Sequence, residues 1–236
     1  MTPRFDWVFL DVGSTLLAEH RSDAFFFAAA YQELRRRGVA VPWPRFRRYW
    51  HQALRNGAPS TFNEVIRLSI ERHGGDDLTV LDVRRALRPF HNRYHALQVP
   101  YADVRAALPS LAKRYRLGII ANQWVGARAR LRRFGIDKWF EVWAISEEID
   151  KHKPDPALYR HALQAAGCPP GRAVMVGDRP DNDVVPARAV GMTAVLLERG
   201  PFKDAWRDRR WLQPHLRIRS LHALAPALDR FADGPR

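Results

Sequence analysis

From residue 116 onward the chain repeats one rhythm: a short apolar run, a polar turn, then a stretch with helical spacing. Residues 116–121 (RLGIIA), 141–145, 173–176 and 193–197 read as strands. Between them lie three predicted helices: 125–134, closed by Gly135; a segment that Asp155 caps and Pro156 starts; and 183–190, ended by Gly191. A last strand near 216–218 leads to a helix beginning at Ser220. Apolar strands alternating with helices predict an α/β fold, with a parallel sheet covered by helices on both faces.

The N-terminus adds one strand to this series, residues 5–10, which stops at Asp11 and Gly13 as a buried strand feeding a tight turn would. From about Ser22 to Tyr94 the pattern is helical with no convincing strand. Ser22 is placed to cap a helix running through Phe25, Ala29 and Leu34 to Gly38. Thr61 and Glu64 form an S/T-x-x-E box ahead of Val65, Leu68 and Ile70, and a further helix is expected over 80–94. The expected organisation is therefore a core of residues 1–17 and 100–236 with an inserted helical domain, 18–99.

A chain of 236 residues with 46% hydrophobic content can bury cores of this kind. No apolar run is long enough to cross a bilayer, and Asp6 and Asp11 interrupt the apolar stretch that a secretory signal would need. A soluble cytoplasmic protein is expected. The single cysteine, Cys168, excludes an intrachain disulfide and a cysteine zinc site. The formal charge is +14, carried mainly by arginines in clusters such as 35–37, 45–48 and 207–210. These are dispersed and join no nucleic-acid reading motif, so solvated helix faces explain them better than a nucleic-acid partner. A positive field would also attract a small phosphorylated substrate.

Ligands of open α/β sheets bind beyond the carboxyl ends of the strands. Asp11 follows the first strand, Asn122 the second and Asp178 the fourth; Lys153 comes soon after the third, and Asp183 five residues after Asp178. Each alone has a plain explanation as a turn, a cap or a solvated charge. All of them on one edge of one sheet make a chemical set. Clustered carboxylates repel unless a cation neutralises them, and an oxygen-only donor set suits Mg²⁺. Lys153 would balance a phosphate, the Asn122 amide could donate to it, and an Asp11 oxygen could attack phosphorus.

In order, spacing and strand context, FLDVGSTLL, IIANQ, KHKPDP and GDRPDND resemble the four motifs of the haloacid dehalogenase superfamily, over nearly the whole chain. The resemblance implies a Rossmann-like core and makes the helical insertion a cap domain. It implies Asp11 as nucleophile and metal ligand, the Gly13 carbonyl as a second ligand, Lys153 as the residue steadying nucleophile and phosphate, and Asp178 and Asp183 holding Mg²⁺ directly or through water. Two departures stand out. Phosphatases of the superfamily carry a second aspartate, the general acid and base, where this chain has Gly13. They also carry a serine or threonine where it has Ala121. Glu19 and His20, shortly downstream, are the candidates for a replacement acid, though both read more simply as exposed flap residues; Asp23 reads as part of a helix start.

The leading expectation is a Mg²⁺-dependent hydrolase of phosphomonoesters or acyl phosphates, slowed by Gly13. The alternative is a catalytically degenerate relative that binds a phosphorylated ligand or a protein partner. A 2-haloacid dehalogenase fits less well, because that branch needs no Mg²⁺ and lacks the acidic pattern of residues 177–183. Phe25 to Phe27, Trp43, Phe46, Trp50 and His51 either line a substrate entrance or pack the helical bundle, and helical spacing favours packing. Oligomeric state and substrate identity have no signature in the sequence.

Overall fold

Trp7–Leu10 (β1) is apolar on both faces, and all four residues are buried. A strand of this kind needs cover on both sides. The computed structural model, which describes residues 5–75, 77–203 and 213–233, supplies it. After β1 come five helices: α1 (His20–Arg36), α2 (Trp43–Asn56), α3 (Thr61–His73), α4 (Val80–Leu87) and α5 (His91–Leu97). The chain continues through α6 (Val104–Ala112), β2 (Arg116–Ala121), α7 (Ala127–Arg132), β3 (Phe140–Ile145), the short α8 (Ser146–Ile149) and α9 (Pro156–Ala166). It ends with β4 (Ala173–Gly177), α10 (Val185–Ala189), β5 (Thr193–Leu197), β6 (Leu216–Ile218) and α11 (Leu224–Asp233).

The six strands form one sheet in the order β3-β2-β1-β4-β5-β6, and every pairing is parallel. Leu10 aligns with Ile119 on one side and Val176 on the other, which brings the carboxyl ends of β1, β2 and β4 level. One face carries Val8, Leu10, Ile119 and Val176 against Leu108, Leu111, Leu224 and Leu228. The opposite face carries Phe9, Ile120, Met175 and Ala194 against Leu158, Tyr159, Ala162 and Ala187. This is a Rossmann-like α/β fold.

The chain divides into two compact units: residues up to 18 with those from 100 onward, and Glu19–Val99. The second carries α1 to α5 and has its own core, including Leu34, Phe46, Val65, Ile66, Val83 and Leu87. Its helix starts differ in detail from the sequence reading. Ser22 is not a cap: α1 begins at His20, and the Ser22 hydroxyl donates back to the Glu19 carbonyl at 2.8 Å. Ser60 rather than Thr61 caps α3, accepting from the Asn63 N–H at 3.3 Å, because Ser60 holds the extended backbone that a cap requires. The helix expected over 80–94 is interrupted at 88–90, where Pro89 has no N–H to continue the ladder. Among the described residues no helix is long and apolar enough to cross a membrane. Arginines 207, 209 and 210 lie outside the described residues.

Candidate active site

The edge of the sheet is shaped by hydrogen bonds that continue past the strands. The Asp11 N–H donates to the Val176 carbonyl at 3.0 Å, extending β1 by one residue. The chain then turns sharply: Leu16 and Leu17 both donate to the Val12 carbonyl at 2.9 Å, and Ser14 adopts a φ of 51°. Gly13 lies in this turn and bridges to Leu17. Asp178 directly follows β4, and a π-helical turn, Pro180–Val184, carries Asp183 back towards it. Gly177 makes that return possible, since a Cβ there would lie 2.2 Å from the Asp183 Cγ. Gly200, at φ 70°, approaches similarly closely, because a Cβ on it would lie 2.7 Å from the Ser14 Cβ and 3.2 Å from Asp178 Oδ2.

Lys153 enters the same space from the segment between α8 and α9. Asn122, at the end of β2, fixes it: the Asn122 amide donates to the Lys153 carbonyl at 2.9 Å, and the Lys153 N–H donates to Asn122 Oδ1 at 2.7 Å. The Lys153 ammonium then donates at 2.6 Å to both Asp11 Oδ1 and Asp183 Oδ1. Asp183 Oδ2 accepts from the Arg179 N–H at 2.9 Å. Asp11, Asp178 and Asp183 are all buried and each offers an oxygen within 4.8 Å of the others.

Burial pushes the Asp11 carboxyl up to about 6, the charge of Asp183 adds to the rise, and the Lys153 ammonium opposes it. Burial also disfavours the Lys153 ammonium, but two carboxylates in contact reverse the effect and raise its pKa above the ordinary lysine value. One ammonium facing three buried carboxylates leaves the cluster anionic in a poorly solvated place. A hard divalent cation fits such a site: the donors are all oxygens, and the added charge would stabilise the ionised carboxylates.

Asp11, Lys153, Asp178 and Asp183, singled out in the sequence, thus meet in one cluster, and Asn122 reaches it through the backbone of Lys153. Glu19 and His20 belong to the helical unit. The Glu19 carboxylate accepts from the Gln98 amide at 2.7 Å, and His20 is exposed on the first turn of α1. Asp23 is more than a helix-start residue: its carboxyl accepts from the Tyr94 hydroxyl at 3.1 Å, and burial raises its pKa to about 6. The sequence reading missed Arg179, although it lies inside the quoted GDRPDND segment. Its guanidinium pairs with Asp181 at 2.6 Å and stacks over Phe202 at 4.5 Å. It also missed Tyr159, whose hydroxyl donates to the Asn182 carbonyl.

The chain is similar to several known proteins. Glyceraldehyde 3-phosphate phosphatase of Methanothermobacter thermautotrophicus is 36% identical over 125 residues, 50% of this chain and 53% of that protein. The chain therefore spans about half the length of this curated relative. Among solved structures, a HAD phosphatase from Thermococcus onnurineus is 26% identical with a TM-score of 0.67, covering 95% of this chain and 98% of that one. A 2-haloacid dehalogenase from Pseudomonas syringae pv. tomato DC3000 is also 26% identical, with a TM-score of 0.63 and coverage of 96% and 99%. Overall shape therefore does not choose between the two chemistries, and the acidic cluster must. The haloacid dehalogenase-like hydrolase profile matches residues 5–191, the span that holds all four strand-end segments and every residue of the cluster, and the chain belongs to that family.

Proposed function

We propose that this protein is a Mg²⁺-dependent phosphatase that hydrolyses a small phosphomonoester or acyl phosphate through an aspartyl-phosphate on Asp11. The observation that carries the reading is the Lys153 ammonium held between Asp11 and Asp183, with Asp178 completing a buried acidic trio. A dehalogenase would have no use for that excess of carboxylates. The phosphatase names of relatives support the choice of substrate class.

Asp11 supplies the attacking carboxylate oxygen. A bond forms from it to phosphorus as the bond from phosphorus to the leaving oxygen breaks. Lys153, its pKa raised, keeps its proton and serves as fixed positive charge beside Asp11. Asp11, Asp178 and the Gly13 carbonyl would hold Mg²⁺ directly. Asp183 would act through water, because Lys153 and Arg179 already engage its two oxygens. Bound there, the ion would screen the phosphate charge from the incoming carboxylate. Asn122 acts by fixing the backbone of Lys153. Water then attacks phosphorus, releases inorganic phosphate and restores Asp11.

Gly13 has no side chain with which to protonate the leaving oxygen. Loss of such help costs a factor of about 10² to 10⁴, and acyl and aryl phosphates, whose leaving groups need little protonation, lose least. The helical unit is read as the cap that selects among substrates. The test is phosphate release over a panel of acyl, aryl and sugar phosphates with Mg²⁺, for the wild type and Asp11→Asn. Release that ranks acyl and aryl above sugar phosphates and vanishes in Asp11→Asn is expected. Absence of both release and covalent adduct for every substrate would overturn the reading in favour of a ligand-binding relative.

A further inference from the structure

Tyr159 lies in α9 with no exposed surface, among Leu158, Ala162, Leu163, Val184 and Ala187. These neighbours would accept a phenylalanine equally well, so packing gives no reason for a hydroxyl. A buried hydroxyl needs a partner, and that of Tyr159 donates to the Asn182 carbonyl. Asn182 belongs to the π-helical turn Pro180–Val184, immediately before Asp183. Turns of this kind are uncommon and recur at functional sites. Within this one, the Asp183 N–H donates to the Arg179 carbonyl at 2.7 Å, and Asp183 Oδ2 accepts from the Arg179 N–H.

We infer that Tyr159 is a positioning residue: by holding the Asn182 carbonyl, its hydroxyl fixes the turn that presents Asp183 to Lys153. The connection through α9 makes the arrangement specific. The helix begins at Pro156, just after Lys153, and Asp155 caps it by accepting from the Ala157 N–H at 2.8 Å. One rigid element therefore leads from the lysine to the grip on the turn that bears its carboxylate partner. The 2.6 Å contact between Lys153 and Asp183 is set from both sides by the same helix. Burial, with the charges of Asp183 and Asp11, keeps the phenol protonated well past its ordinary pKa, so it remains a donor.

The inference rests on the proposed Mg²⁺ site for its functional consequence but not for its structural claim, and Tyr159→Phe tests the two separately. Backbone amide exchange is followed in cation-free protein, and Mg²⁺ binding is measured by calorimetry. The expected result is faster exchange at Arg179 and Asp183 with Met175 and Ala194 unchanged, together with Mg²⁺ affinity weakened by about 10- to 100-fold, the usual consequence of losing a supporting hydrogen bond behind a metal site. Wild-type exchange at Arg179 and Asp183 would overturn the inference. So would a uniform acceleration that included β4 and β5, since it would make the hydroxyl a general core contact. Failure of the wild type itself to bind Mg²⁺ would defeat the proposed function, and the exchange comparison alone would then decide the role of Tyr159.

Discussion

Two aspartates, one in each unit, have carboxyls raised to about 6, and burial is the largest cause in both, but what surrounds them differs. Asp11 sits in a crowd of charge, where burial and Asp183 push it up and Lys153 pulls it down. Asp23, in the helical unit, is raised by burial and held back by the hydroxyl of Tyr94. The same pKa thus describes a carboxyl set among other charges and a carboxyl that meets a hydroxyl donor in a partly buried place. A raised pKa therefore does not by itself mark a catalytic group; what surrounds the carboxyl does.

Replacing the cation gives the largest contrast. Lys153→Met leaves Asp11 and Asp183 buried together without their shared ammonium, and the expected loss is about 3–5 kcal/mol near pH 8 by denaturant unfolding. The loss should shrink towards pH 5 as Asp11 takes up a proton. A variant as stable as the wild type at pH 8 would show that the cluster is better solvated than its burial implies.

Added cation should act next most strongly, and on one unit. Mg²⁺ at a hundred times its Kd should stabilise the protein by about 2.7 kcal/mol. Asp178→Asn should remove that gain and Asp23→Asn should keep it, both read from melting curves. Equal loss in the two variants would erase the distinction between the sites.

The smallest effect belongs to Asp23. Its folded-state pKa lies above the ordinary 3.8, so its contribution is fully present below that value and is lost as pH rises through 6. Stability of the helical unit should fall by at most about 2–3 kcal/mol across that window, and Asp23→Asn should flatten the dependence. A slope that persists in Asp23→Asn would assign it to another group.

These contrasts also explain what could be read from the sequence. Asp11, Asn122 and Asp178 were legible because each marks an abrupt change from apolar to polar at a strand end, and strand ends of an α/β sheet share an edge. Lys153 and Asp183 were legible through spacing within their segments. The pairing of Asn122 with the Lys153 backbone was not, because an amide at a strand end is equally suited to a ligand. Asp23 and Tyr94 are 71 residues apart, and helical periodicity says which face is buried but not which polar groups meet there. Tyr159 was hidden for a related reason: in an apolar helix face a tyrosine has the pattern of a packing residue, and only the location of Asn182 gives its hydroxyl a purpose. The cap of α3 shifted by one residue because Ser60 and Thr61 are adjacent and chemically equivalent, so backbone conformation made the choice.

The central place of β1 has a consequence for how the protein is made. Its partners are residues 116–121 and 173–177, so β1 leaves the ribosome before either and is enclosed only after more than a hundred further residues, on the order of the length of a domain, have followed. At ordinary rates of synthesis that interval is on the order of ten to thirty seconds. The helical unit, which has its own cluster of buried residues, can become compact during the wait, while the apolar β1 needs shielding from other nascent chains. Asp11 is among the first of the cluster to be synthesised, yet its surroundings are complete only once residue 183 has emerged. Premature termination between residues 11 and 183 would yield a chain that carries Asp11 without the groups that surround it.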